Sequence, residues 1–432
     1  MNPITISVVG LLILLLLFSQ GVHIAFAFAI VGALGVVVLK GPAAALALLG
    51  NTPYDYATSS ALLAIPLFIL MGQFVYVSGI SQELFNTAYK LAGRLHGGLA
   101  LATNIAGTIF GACCGVSMAA CATFGTIAYP EMIKHKYDPK LATGCIAAGG
   151  CLSDLIPPSN AFILFGVLTS TSIGALFIAG IVPGLVLSAL NLVIIYIICK
   201  RNPQKGPPGE SYSFKEVLRS SYSVLWVLAL FVLVIGGLFA GIFTPTEAGS
   251  IGALGAFIIA IARRKLNYSG LASVLTNSIT TTCFILTIII GAMIFSKFLA
   301  ICGLSAALGN WIETLTISRH IIMISILLLY VVLGMFMDVL SMILLTIPIV
   351  FPLVTSLGFD PVWFGVMLTL VGEMGLLTPP VGMNVFVVSG VTKVPVGDVF
   401  RGIVPFVGMI AICMVFMYIF PQISLFLPSI MR

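Results

Sequence analysis

The chain has 432 residues, of which 60% are hydrophobic and only 7% charged, with a mean hydropathy of +1.20. Soluble globular chains carry roughly a quarter of their residues as charges, so this composition excludes a water-facing surface of such size and suits one facing lipid. The net charge of +6 is spread over short clusters between apolar runs. That pattern fits membrane orientation signals rather than a nucleic-acid-binding face.

In chain order, apolar stretches of about 20 residues predict spanning helices near 4–20, 22–39, 57–80, 174–199, 221–242, 245–262, 272–300 and 402–425. The first lacks a basic leader and a small-residue cleavage site, and reads as a retained span. Segments 139–169 and 361–390 are broken in the middle, making about ten spans. Segments 97–133 and 320–355 hold small or polar residues at their centres and read as re-entrant helical hairpins. The expected fold is thus an all-α polytopic membrane protein. Its expected divisions are 1–200, a polar linker at 201–220 with Pro203, Pro207 and Pro208, and 221–432.

This threading puts 15 basic residues on one side, Lys90, Lys140, Lys205, Arg263 and Arg401 among them. Only Lys40, Lys297, Arg319 and Arg432 fall on the other. The rich side is expected to be cytoplasmic, with both termini periplasmic.

Shifted by 222 residues, 129–183 aligns with 351–405 without a gap, at 11 identities in 55 positions. All five prolines of the first segment (Pro130, Pro139, Pro157, Pro158, Pro183) meet prolines of the second (Pro352, Pro361, Pro379, Pro380, Pro405). Compositional bias explains matched leucines, but not a matched set of helix breakers. With hairpins entering from opposite faces, the copies are expected to have inverted topology. Paired broken helices in inverted repeats are a signature of secondary transporters.

Proline supplies no N–H and disfavours helix in the residue before it. Cys151–Asn160 and Gly375–Asn384, each with a Pro-Pro pair, therefore leave carbonyls free for a hard cation such as sodium; a structural kink satisfied by neighbours is the alternative. Ser159 is placed to cap the outgoing half-helix. The hairpin turns run Gly111–Ser117 and Gly334–Ser341. Asp338 is expected near an ion, since an acid at membrane depth is costly; a capping role is the alternative. Asp154 and Glu373, at or near the breaks, are candidate proton carriers or hydrogen-bond anchors. Glu247 reads as a first-turn helix residue. With no arginine clearly at depth, Ser117, Asn160, Asn384 and half-helix N-termini are the candidate anion contacts. The nine cysteines form no zinc pattern, and no ATP loop or nucleophile–base set is present. Neither an enzyme nor a bound cofactor is expected.

The stretches Ile65–Gly72, Gly125–Met132, Ile156–Ser159, Phe243–Gly249, Gly334–Asp338 and Leu377–Gly382 resemble the large membrane (M, DctM-like) subunit of tripartite ATP-independent periplasmic (TRAP) transporters. The resemblance covers nearly the whole chain. It implies sodium-driven uptake of an organic acid anion across a bacterial inner membrane by an elevator movement. A small membrane (Q) subunit and a periplasmic binding (P) protein are the implied partners. Carried over by position, one sodium site involves Gly111, Gly115, Ser117, Ile156 and Ser159, and the other Gly334, Asp338, Ser341, Gly375 and Thr378. The first tip departs from the family pattern, reading Cys114-Gly-Val-Ser117 where the family often has Ser-Gly-Ser-Ser. The competing readings are a self-sufficient sodium/dicarboxylate carrier and a channel.

Overall fold

The computed structural model describes residues 3–304, 307, 309 and 317–431; Arg432, assigned above to the poorer side, lies outside them. The described residues form helices throughout, with no strand among them. The first five are α1 (Pro3–Ser19), α2 (Ile24–Lys40), α3 (Pro42–Ala57), α4 (Ala64–Val77) and α5 (Ile80–Ala92). A hairpin follows, α6 (Gly98–Cys114) and α7 (Ser117–Lys134), then a broken pair, α8 (Pro139–Leu155) and α9 (Asn160–Thr169). Next come α10 (Ile173–Arg201), α11 (Phe214–Phe239), α12 (Pro245–Ala262) and α13 (Tyr268–Cys302). The second hairpin is α14 (Arg319–Gly334) and α15 (Val339–Ser356), and the second broken pair α16 (Pro361–Leu376) and α17 (Met383–Thr392). The described chain ends with α18 (Val396–Ile419) and α19 (Gln422–Ser429).

Six described spans are long and apolar enough to cross a bilayer, or up to eight if each of two bent pairs counts as one. The remaining expected spans rest on shorter helices: α1 and α2, of 17 residues each, and the second broken pair. The stretch 57–80 is not one straight helix. Its apolar part is α4, which meets α5 at a bend of 65°. Two helices add to the expected set: α3, with Pro53 inside it, and α5, with an apolar face buried at Leu84, Phe85 and Ala88.

Caps mark where the two copies correspond. Asp138 accepts from the Lys140 N–H at 2.8 Å, before Pro139 at the first position of α8. At the matching position Asp360 accepts from Val362 and Trp363 at 2.8 and 2.9 Å, before Pro361. Both are carboxylate caps followed by a proline that costs no helical hydrogen bond. The Pro157–Pro158 and Pro379–Pro380 bonds are both cis.

α18 relates the broken helices to each other. Lys140, at the start of α8, pairs with Asp398 near the beginning of α18 at 3.3 Å. Trp363, at the start of α16, donates its indole N–H to the Met417 carbonyl near the other end of α18 at 3.1 Å. The first half-helices therefore begin at opposite ends of one 24-residue helix.

Several basic residues of the richer set make local contacts. Arg263 pairs with Glu83 of α5, and the Asp138 N–H donates to the Lys205 carbonyl at 3.0 Å. The Asp398 carboxylate meets Arg401 as well as Lys140. Lys297 instead pairs with Asp55 at 3.8 Å, and Arg319 stands over the Phe359 ring. The polar stretch after α10 is pinned to the helices beside it. Gly97 donates to Gly206 at 3.0 Å and Gly209 to Gly93 at 2.8 Å. The Tyr137 hydroxyl donates to the Pro207 carbonyl at 2.9 Å.

Candidate functional site

Each hairpin tip packs against the break that follows it in the chain. In the first, Gly111 lies so close to α8 that a Cβ there would stand 2.8 Å from the Ser153 Cα. In the second, a Cβ on Gly375 would stand 2.5 Å from the Gly334 backbone. Gly375 is the 222-residue counterpart of Ser153, so the same tip-to-break contact is made twice. Only a glycine allows a backbone approach this close.

The first tip turns at Gly115, whose φ of +64° suits a residue without a Cβ. Its carbonyl accepts from the Asn160 amide at 3.3 Å, tying the tip to the start of α9. Ser159 caps α9 by accepting from the Phe162 N–H at 3.3 Å, as expected. The Ser117 N–H, in the first turn of α7, donates to Asp154 Oδ2 at 3.3 Å. Gly111, Gly115, Ser117, Ile156 and Ser159 are thus gathered around one break.

The second tip is ordered by Asp338. Its Oδ2 accepts from the Leu340 and Ser341 N–H groups at 3.1 and 3.3 Å, and its Oδ1 accepts from the Ser341 hydroxyl. The capping geometry is therefore present, and it also holds the carboxylate at the tip. Gly382, just beyond the second break, donates to the Met335 carbonyl at 3.4 Å. The Thr378 hydroxyl donates to the Met374 carbonyl at 2.6 Å. Pro157 and Pro158 deprive the Ser153 and Asp154 carbonyls of helical donors, and Pro379 and Pro380 do the same for Gly375 and Leu376. At Gly375 a tighter bond from Thr378, at 2.9 Å, takes the place of the lost one.

Ser153 was not among the residues singled out from the sequence. Its hydroxyl is fully buried, has no hydrogen-bond partner, and lies against Gly111. A buried hydroxyl without a partner is costly, which suits an oxygen kept for an ion. Its signal was available in the 222-residue register, which aligns it with Gly375.

Asn160 and Asn384 are buried, at 3% and 0% exposure. The Asn160 amide serves the Gly115 carbonyl, and that of Asn384 donates to Cys151 Sγ at 3.4 Å. Neither lines the cleft of about 350 Å³ that opens beside the first tip. That cleft takes its polar wall from Gln73, Thr123, Thr126, Asn277 and Thr281, and Cys114 and Val116 bring the tip to it. Among the described residues no charged side chain lines it. A lone threonine or asparagine in an apolar helix carries no sequence signal that separates cleft lining from packing. Glu247 forms a reciprocal cap with Thr244, whose N–H and hydroxyl both donate to its carboxylate. It is a helix-start residue, as read.

Comparisons with known proteins agree with this architecture. The family model for the tripartite ATP-independent periplasmic transporter, DctM component, matches residues 9–423. The C4-dicarboxylate TRAP transporter large permease protein DctM of Pseudomonas aeruginosa is 35% identical, over 87% of this chain and 88% of its own length. The sialic acid TRAP transporter large permease protein SiaM of Vibrio cholerae is 34% identical, over 85% and 86%. The isethionate TRAP transporter permease protein DctMQ of Oleidesulfovibrio alaskensis is 32% identical, over 87% of this chain and 61% of its own. Among solved structures, the Alcanivorax borkumensis YdaH transporter shares the fold, with a TM-score of 0.64 at 14% identity, covering 98% of both chains. The chain is a multi-pass membrane protein that belongs to the DctM component, the large permease subunit, of the tripartite ATP-independent periplasmic transporters.

Proposed function

We propose that this subunit imports a small organic acid anion, a carboxylate or sulfonate, across a bacterial inner membrane, driven by sodium. The observation that carries the reading is the tip-to-break contact, made once at Gly111–Ser153 and again at Gly334–Gly375. Interrupted helices leave peptide oxygens at depth, and such oxygens suit a hard, poorly polarisable cation. One sodium is assigned to Gly111, Gly115, Ser117, Ile156 and Ser159, joined by Ser153. The other is assigned to Gly334, Asp338, Ser341, Gly375 and Thr378. The antiparallel placement of α8 and α16 along α18 supports inverted repeats, with 1–200 and 221–432 as the halves and 201–220 as a cytoplasmic linker.

In this reading α6–α9 and α14–α17 form the moving body, and α4, α12 and α13 belong to the scaffold it slides against. The anion occupies the cleft beside the first tip. Amide and hydroxyl donors of Gln73, Asn277 and Thr281 reach it from the scaffold side, and the first turn of α7, beside Val116 and Ala119 of the cleft wall, turns its positive dipole end toward the charge. A neutral pocket of this kind holds an anion without the large desolvation cost of burying a lysine or arginine. Ser117, Asn160 and Asn384, the contacts expected from the sequence, then shape the tip and the break behind the cleft. A periplasmic binding protein delivers the anion and a small membrane subunit accompanies the scaffold, as the relatives' TRAP designation suggests. The basic face lies in the cytoplasm, with the chain termini periplasmic.

The test is uptake by the reconstituted complex with its binding protein, under an imposed membrane potential. Initial rates in sodium medium should exceed those in choline by about tenfold or more. Equal rates would refute sodium coupling.

A further inference from the structure

Beside its break, each copy carries one carboxyl group that its counterpart lacks. Asp154 corresponds to Leu376, and Glu373 to Cys151. The two acids nevertheless meet, with their carboxyl groups within hydrogen-bonding reach of each other. Glu373 and Cys151 also touch directly, as the Cys151 thiol faces the Glu373 carbonyl at 3.9 Å. Counterparts in contact lie where the two copies join, so this pair sits between the broken helices.

The surroundings are oxygen-rich and offer only neutral donors. Glu373 is fully buried, and among the described residues the only donors in reach of its carboxyl group are the neutral Ser117 hydroxyl and Cys151 thiol. Asn384 spends its amide N–H on Cys151, and its buried Oδ1 has no partner. Asp154 receives the Ser117 N–H at 3.3 Å, with the Ser117 hydroxyl also in reach, and Asp338 adds further negative charge nearby. Among the described residues no lysine, arginine or histidine pairs with Asp154 or Glu373. Two facing acids inside a membrane protein with no cation to offset them carry a large desolvation and repulsion cost.

We propose that Asp154 and Glu373 together bind a further sodium ion between the two broken helices, with the Ser117 hydroxyl and Asn384 Oδ1 completing its oxygen shell. This rests on the sodium-driven reading above, and the site is additional to the two tip-to-break sites, sharing Ser117 with the first. Its all-oxygen character suits a hard cation rather than a transition metal. Among the described residues no trio of histidine, cysteine, aspartate or glutamate is arranged to hold one. An ion here bridges the copies, so that its arrival couples the two breaks to each other.

The experiment counts 22Na⁺ bound per chain by the purified full-length protein with whatever partners co-purify, in a choline background. Wild type should bind sodium saturably, and Glu373→Gln and Asp154→Leu (the counterpart's residue) should each bind one ion fewer. Glu373→Asp should keep the full count at weaker affinity. If Glu373→Gln does not fold, Asp154→Leu supplies the same readout. An unchanged count in the folded variants, while Gly375→Ala loses an ion, would overturn the additional site and leave the sodium-driven reading standing. The same holds if the pair releases protons but no sodium count changes. Absence of any saturable 22Na⁺ binding by wild type would instead sink the sodium-driven reading itself.

Discussion

The Asp338 carboxylate accepts three hydrogen bonds at the start of α15, so a loss of function on mutation has two readings, a lost cap or a lost charge. Asparagine separates them, because it caps a helix about as well as aspartate. Asp338→Asn should melt close to wild type yet transport at least about tenfold more slowly, about 1.4 kcal/mol in the limiting step. Glu247→Gln, in an exposed cap at the start of α12, should keep uptake within about twofold. Radiolabelled uptake beside a thermal melt checks both, and equal losses in the two variants would deny Asp338 its place at an ion. Gly375→Ala is sharper still. Its new Cβ would fall 2.5 Å from Gly334 backbone atoms, a clash only backbone movement relieves, so sodium-dependent uptake should drop to background while subunit assembly persists. At this scale the tips and breaks were legible, because glycines, prolines and an intramembrane acid stand out in an apolar chain. The cleft residues Gln73, Asn277 and Thr281 were not, since only the packing of α4 against α13 and the first hairpin turns them into a wall.

Long apolar runs with matched breakers fixed the broken pairs and hairpins well, since Pro-Pro ends a helix wherever it stands. The helices the sequence hid are those that do not need to be apolar throughout. α3 holds Asn51, Pro53 and Asp55 and lies against α2 and α13, which in sequence looks like a loop. α5 buries one face and exposes the other, ending in Lys90, so its hydropathy is ordinary. The stretch after α10 has linker composition, yet Tyr137 clamps it. The Tyr137 hydroxyl accepts from the Leu99 N–H at 3.1 Å and donates to the Pro207 carbonyl at 2.9 Å. Tyr137→Phe leaves both groups without that partner, a cost of about 1–3 kcal/mol. The expected result is a lower melting temperature, with protease cleavage appearing within 203–212. Unchanged cleavage kinetics would show that the clamp does not hold the segment.

Over the whole molecule, the outer faces of α1, α2, α11 and α13 expose large apolar side chains such as Leu12, Leu15, Val38, Leu225, Val232 and Ile279. Lipid covers such faces, and so does a second membrane protein. In the TRAP reading a small membrane subunit shares them, and purification in mild detergent should retain it in a fixed ratio. A lone chain that remains active in uptake would favour a self-sufficient carrier. The account depends most on two antiparallel copies bringing their interrupted helices and hairpin tips together around cations. A high-resolution density map of the protein in sodium, compared with one in choline, tests this most directly. The account predicts sodium-dependent density among the carbonyl and hydroxyl oxygens beside the Gly111–Ser153 contact and again beside the Gly334–Gly375 contact. No ion density at either place in either salt would contradict it.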